Sequence, residues 1–115
     1  MAKLPSIIKV GPFRYRVRTD KDAVSDLKSD RIYGIHRSGN LTITVDPDYP
    51  HDQVADTLVH EILHAIWHVV ALPREKLVNH QQEDIIDALS SILLGVLRDN
   101  HELVTYLTEW SNPDN

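Results

Sequence analysis

The chain has 115 residues, a formal net charge of −5 and no cysteine. Its length suits one domain with its own core. The missing cysteine excludes disulfides, thiolate-held zinc, iron–sulfur clusters and thiol nucleophiles, so any metal must be held by His, Asp, Glu or water.

The start, MAKLPSIIKV, is too short and too polar for a signal peptide. No apolar run approaches the roughly 20 residues of a membrane span. A soluble, cytoplasmic protein is expected, in a single domain over residues 1–115, with no repeat and no low-complexity tract. Residues 1–40 hold nine Lys/Arg against four Asp, and residues 41–115 hold three Lys/Arg against thirteen Asp/Glu. Two halves of opposite sign can attract each other in the fold.

Residues 7–19, IIKVGPFRYRVRT, read as a hairpin or bent strand broken at Gly11-Pro12. From Phe13 the alternation is strict: Phe13, Tyr15 and Val17 point to a core, and Arg14, Arg16 and Arg18 to water. Residues 20–30 are polar and fit a short helix or a loop. Arg31 to His36 and Leu41 to Asp46 read as strands joined by a turn at Arg37-Ser38-Gly39-Asn40. Pro47 and Pro50 stop the sheet, which spans about residues 7–46.

A helix follows over about 51–71, with Asp48 or His51 near its cap and Pro73 past its end. Its apolar residues lie almost all round, which predicts a buried helix. A second helix is expected over about 81–97, with a stripe of Ile85, Leu89, Ile92, Leu93 and Val96. A third, over about 100–110, has Asp99 and Glu102 as a capping-box-like pair and Leu103, Tyr106, Leu107 and Trp110 as its packing face. Strands first and helices after predict an α+β fold: a small, mostly antiparallel sheet of three or four strands with helices on one side.

The first long helix carries His60-Glu61-Ile62-Leu63-His64. Histidines four apart project from one helix face, where two imidazole nitrogens can grip one zinc ion. Glu61, beside them, can act as general base toward a water that the metal activates, and later hand the proton to a leaving amine. This is the H-E-x-x-H arrangement of zinc peptidases. The competing reading is two satisfied core histidines and a surface Glu.

His68 lies about 12 Å from His60 along a straight helix, too far for one ion with bonds of about 2 Å. It also misses the longer metzincin spacing, because Trp67 stands at the glycine position and Val70 at the third-histidine position. His68 is therefore expected to line the pocket or to support a ligand. The third ligand is sought on the second helix, where His80, Glu83, Asp84 and Asp87 are all candidates. Glu83 lies at the seam of that helix's polar and apolar faces, from which a side chain can turn toward a neighbour. Asp87, one turn on, can accept a hydrogen bond from a ligating histidine. A solvated acidic helix start accounts for the same cluster without a metal.

HEILHA, with EDIID beginning nineteen residues after His64, resembles the gluzincin pattern of zinc metallopeptidases. In that clan a Glu on a second helix is the third zinc ligand and an Asp four residues later supports the first histidine. Glu83 and Asp87 match that pair, and His60, Glu61 and His64 match the first motif. In size the chain resembles minigluzincins and ImmA/IrrE-type and SprT-like domains. Through GPFRYRV, YGIHRSGNLTITVDP, DTLVHEILHAIW and VLRDN it looks like short phage and prophage proteins identified as metallopeptidases, over residues 10 to about 107.

The resemblance implies a zincin-like fold and hydrolysis of a peptide bond with Glu61 as base. It implies a peptide or protein substrate added along an edge strand at about 41–46, and the cytoplasm of a bacterial host. Tyr33, His36, His80 and Tyr106 are candidates for stabilising an oxyanion, and His80 and Asp84 also for an alternative ligand. Two other functions stay open. One is a zinc-binding regulatory or interaction module without turnover. The other is nucleic-acid binding through Arg14, Arg16 and Arg18, which the acidic total disfavours.

Overall fold

The computed structural model describes residues 3–70 and 82–109. Within that range the chain is α+β, with a four-stranded mixed sheet and four helices. The strands are β1 (Ile7–Val10), β2 (Phe13–Arg18), β3 (Gly34–Arg37) and β4 (Thr42–Val45). The helices are α1 (Lys21–Asp30), α2 (His51–Val70), α3 (Gln82–Asp99) and α4 (His101–Thr108).

The predicted hairpin is present, with Val10 opposite Phe13. Gly11 takes φ +58 at the first position of the two-residue turn, as type II′ turns require of that position, and Pro12 takes the second. Tyr15 is fully buried while Arg14 and Arg16 face solvent, so the strand alternates as read.

The polar stretch after it is a helix. The Asp20 carboxylate accepts from the Ala23 N–H at 3.2 Å, and Arg31 ends α1 in the left-handed region at φ 57. With α1 and β3 in the connection, β4 lies parallel to β2, so the order is β1-β2-β4-β3 with one parallel and two antiparallel pairings.

That order corrects the expectation for the substrate edge. The strand expected there, about 41–46, is β4, which pairs with β2 on one side and β3 on the other. Its backbone groups are engaged on both sides, so the edge toward α2 is β3. The local pattern could not show this, because the short turn fixes the pairing of β3 with β4 but not which of them meets β2.

All four residues of β4 are buried. Ile43 and Val45 join Tyr15, Leu58, Ile62, Ala65 and Ile66 in the main core, and Thr42 and Thr44 face the opposite way. α1 packs against β4, and its buried Val24 and Leu27 are not part of the main core. The helices are therefore not all gathered in one layer.

α2 crosses β1, β3 and β4 and packs against α3. Its apolar pattern predicts burial all round, but Val59 and Leu63 are 37% and 43% exposed. Where α3 gives way to α4, the expected capping pair of Asp99 and Glu102 is replaced by Asn100 as the cap residue, with no side-chain capping bond. Its side chain is used elsewhere. It accepts from the Lys9 N–H at 2.9 Å and donates to the Lys9 and Val96 carbonyls at 2.9 and 2.7 Å. This ties strand β1 to the α3–α4 corner, in keeping with the rule that buried polar groups find partners. Leu103 and Tyr106 pack inward as expected, while Trp110 lies outside the described residues. No helix among the described residues is long and apolar enough to cross a membrane.

Candidate metal centre

His60 and His64 stand one turn apart on the exposed side of α2. Their Nε2 atoms lie 3.2 Å apart and their rings cross at 74°. Two ligands of a tetrahedral zinc, at bonds of 2.0–2.1 Å, are separated by about 3.4 Å. The pair thus has the spacing of two corners of a zinc site. Without an ion one ring can donate a hydrogen bond to the other. Among the described residues, His60, Glu61 and His64 form a group able to hold a metal, with ligand atoms all within 4.8 Å of one another.

The burial of these three is the reverse of the competing reading, which needed core histidines and a surface carboxylate. Both histidines are exposed, and Glu61 is only 6% exposed. One residue of helix turns the side chain about 100°, which carries Glu61 from the open face to the seam between α2 and β3. Burial raises its pKa above the usual carboxylate value. His60, His64 and the His36 main-chain N–H, which faces the carboxylate, act in the opposite sense without cancelling it.

That N–H is available because of the sheet register. The Asp46 N–H donates to the Tyr33 carbonyl at 3.0 Å, and Gly34 then faces Val45 and His36 faces Ile43. In an antiparallel ladder alternate residues bond to the partner, so Gly34 and His36 turn their N–H and C=O groups to the open edge. The approach of α2 to that edge needs a glycine. A Cβ on Gly34 would lie 2.6 Å from Thr57 Cγ2, 3.0 Å from the Thr44 carbonyl oxygen and 3.4 Å from Glu61 Cγ. A lone glycine inside a strand is the sequence signal for such a close approach.

His36 also brings its ring to the site. Its Nε2 shares a hydrogen bond of 3.1 Å with the hydroxyl of fully buried Tyr15. The ring is nearly parallel to that of His64 at 6.5 Å and lies 6.3 Å from that of His68. Burial first, then His64 and His68, lowers the pKa of His36. The strand alternation marks Tyr15 only as a core residue, but a buried phenol also needs a partner for its hydroxyl. His68 packs against Phe13 and His36.

Compared with protein-family models, with curated proteins and with solved structures, the chain matches none.

Two clefts flank the histidine pair. One of about 380 Å³ is lined by His60, Leu63, His64 and Trp67. The other, of about 320 Å³, runs from His60 and Glu61 past Thr57 and Gly34 to Tyr33 and Arg31. Tyr33 is 49% exposed and meets Tyr49 edge to face. Tyr106 is not at the site: it is buried against His51, in the first turn of α2, and lines neither cleft. Glu83, Asp84 and Asp87 fall on α3, which packs against α2, but their side chains lie outside the description. His80 lies outside the described residues altogether. Arg14 and Arg16 point to solvent, alternating with the core-facing Tyr15.

Proposed function

We propose that the chain is a zinc-dependent peptidase of the zincin kind, with α2 as its active-site helix. The observation that carries this reading is the 3.2 Å separation of the His60 and His64 nitrogens beside a buried carboxylate. His60 and His64 would hold the ion, with Glu83 from α3 as third ligand and Asp87 supporting a histidine. Zinc supplies Lewis acidity, polarising a carbonyl and making a water acidic near neutral pH.

The chain's own residues then do the rest. A peptide adds to the open edge of β3, where Gly34 offers its N–H and C=O and His36 its C=O. The His36 N–H faces the Glu61 carboxylate from the strand edge. The raised pKa of Glu61 suits a group that takes a proton from the attacking water and passes it to the leaving amine. Tyr33 lines the cleft beside the pair and is the candidate for steadying charge on the substrate carbonyl.

The test is a zinc-loaded wild-type chain and its Glu61→Gln variant, each incubated with a proteome-derived peptide library and read for new termini by mass spectrometry. The reading expects cleavage by the wild type, and a variant that keeps zinc but cuts nothing. Equal cleavage by the variant removes Glu61 from the mechanism. Zinc binding with no cleavage by either chain leaves the non-catalytic module as the function.

A further inference from the structure

We infer that Tyr15 and His36 form a strut that positions the metal-facing groups of α2; the inference rests on the zinc-site reading above. Tyr15 is on β2 and His36 on β3, and β4 lies between those strands. Their 3.1 Å hydrogen bond therefore spans the core-facing side of the sheet to reach its open edge. At that edge His36 acts twice. Its main-chain N–H faces the Glu61 carboxylate, and its ring lies parallel to that of His64 at 6.5 Å. An edge strand is anchored by hydrogen bonds on one side only, so β3 needs a second support if the amide is to stay on Glu61. Tyr15 is 0% exposed and cannot turn its hydroxyl to water. The bond to His36 satisfies that hydroxyl and fixes the ring together. Tyr15 and His36 are positioning residues: they act on a ligand and on the base without touching the ion or the substrate.

The strut can be tested on the full chain without a substrate. Zinc affinity is measured by competition with a chromophoric chelator for the wild type, Tyr15→Phe, His36→Gln and Ile8→Val. Groups that support ligating residues typically alter metal affinity about 10- to 100-fold, and that loss is expected for Tyr15→Phe. His36→Gln keeps the main-chain amide, and its side-chain carbonyl can accept from the Tyr15 hydroxyl, but it lacks the ring beside His64, so a loss smaller than that of Tyr15→Phe is expected. Ile8→Val trims the same core on β1 directly opposite Tyr15 but keeps the Tyr15 hydroxyl, and should leave affinity unchanged.

Hydrogen exchange followed by NMR gives the second readout. Tyr15→Phe and Glu61→Ala should each speed exchange at the His36 amide at least several-fold more than at the Ile43 amide, which general loss of stability would not do. If Tyr15→Phe does not fold, His36→Leu, which leaves Tyr15 in place, should show the same loss of zinc affinity. Zinc affinity of the strut variant within threefold of wild type overturns the proposal, as does an equal loss in Ile8→Val. If the wild type binds no zinc, the metal reading fails, and the exchange rates alone decide whether the strut exists.

Discussion

Replacing Gly34 by alanine probes the contact on which the site geometry depends. The added Cβ would sit 2.6 Å from Thr57 Cγ2. Carbon atoms attract best at about 3.5–4.0 Å, so β3 and α2 must part by roughly 1 Å. The methyl cannot avoid this by moving the other way, because the Thr44 carbonyl oxygen of β4 is 3.0 Å from it. Overpacking of this kind costs about 1–3 kcal/mol. For a domain of this size each kcal/mol lowers the melting temperature by about 5 °C, so a fall of roughly 5–15 °C is expected.

The assay is calorimetric melting of the metal-free chain, repeated in a double-mutant cycle with Thr57→Ser. Serine removes the clashing methyl and keeps the hydroxyl that accepts from Gln53 Nε2 at 3.3 Å. The double variant should recover at least half of the lost stability, with a coupling above about 0.5 kcal/mol. Gly34→Ala melting with the wild type, or no relief from Thr57→Ser, would refute the close approach as the reason for glycine.

Two further outcomes follow from the same geometry. Glu61→Gln should stabilise the metal-free chain at neutral pH, since it removes a buried charge. With the folded-state pKa of Glu61 raised, its contribution to stability is full below the unfolded value near 4.5 and is lost as pH rises through the folded value. Urea melts should therefore show little advantage for the variant at pH 4 and a clear one at pH 7; the opposite trend would show that the carboxylate is better held than its burial implies. Asn100→Ala removes three hydrogen bonds to Lys9 and Val96 from a residue 8% exposed. At about 1 kcal/mol each, it should cost about 2–4 kcal/mol and lower the urea midpoint in proportion.

The elements and the centre of the site were legible because their signals are local. The Phe13 to Arg18 alternation, the Gly11-Pro12 turn and the helices at 51–70 and 82–99 follow from periodicity and breakers. The His60, Glu61 and His64 cluster follows from helical spacing alone. Sheet order was not legible. The polar segment 20–30 became α1, and β2 came to lie beside β4, so the free edge moved from β4 to β3.

The same limit hid the surroundings of Glu61. Its burial, the His36 amide and the tie to Tyr15 all depend on which strand α2 crosses, and spacing along the chain does not encode that. Gly34 did leave a trace, as a glycine within a strand pattern. Its meaning becomes clear only against Thr57.

Zinc titration by calorimetry, with metal content of the dialysed protein measured alongside, tests the central claim most directly. The account predicts one zinc ion per wild-type chain, retained in Glu61→Gln and lost in His60→Ala and His64→Ala. A wild-type chain that takes up no zinc, or a double His60→Ala/His64→Ala variant that binds it as tightly as the wild type, would contradict it.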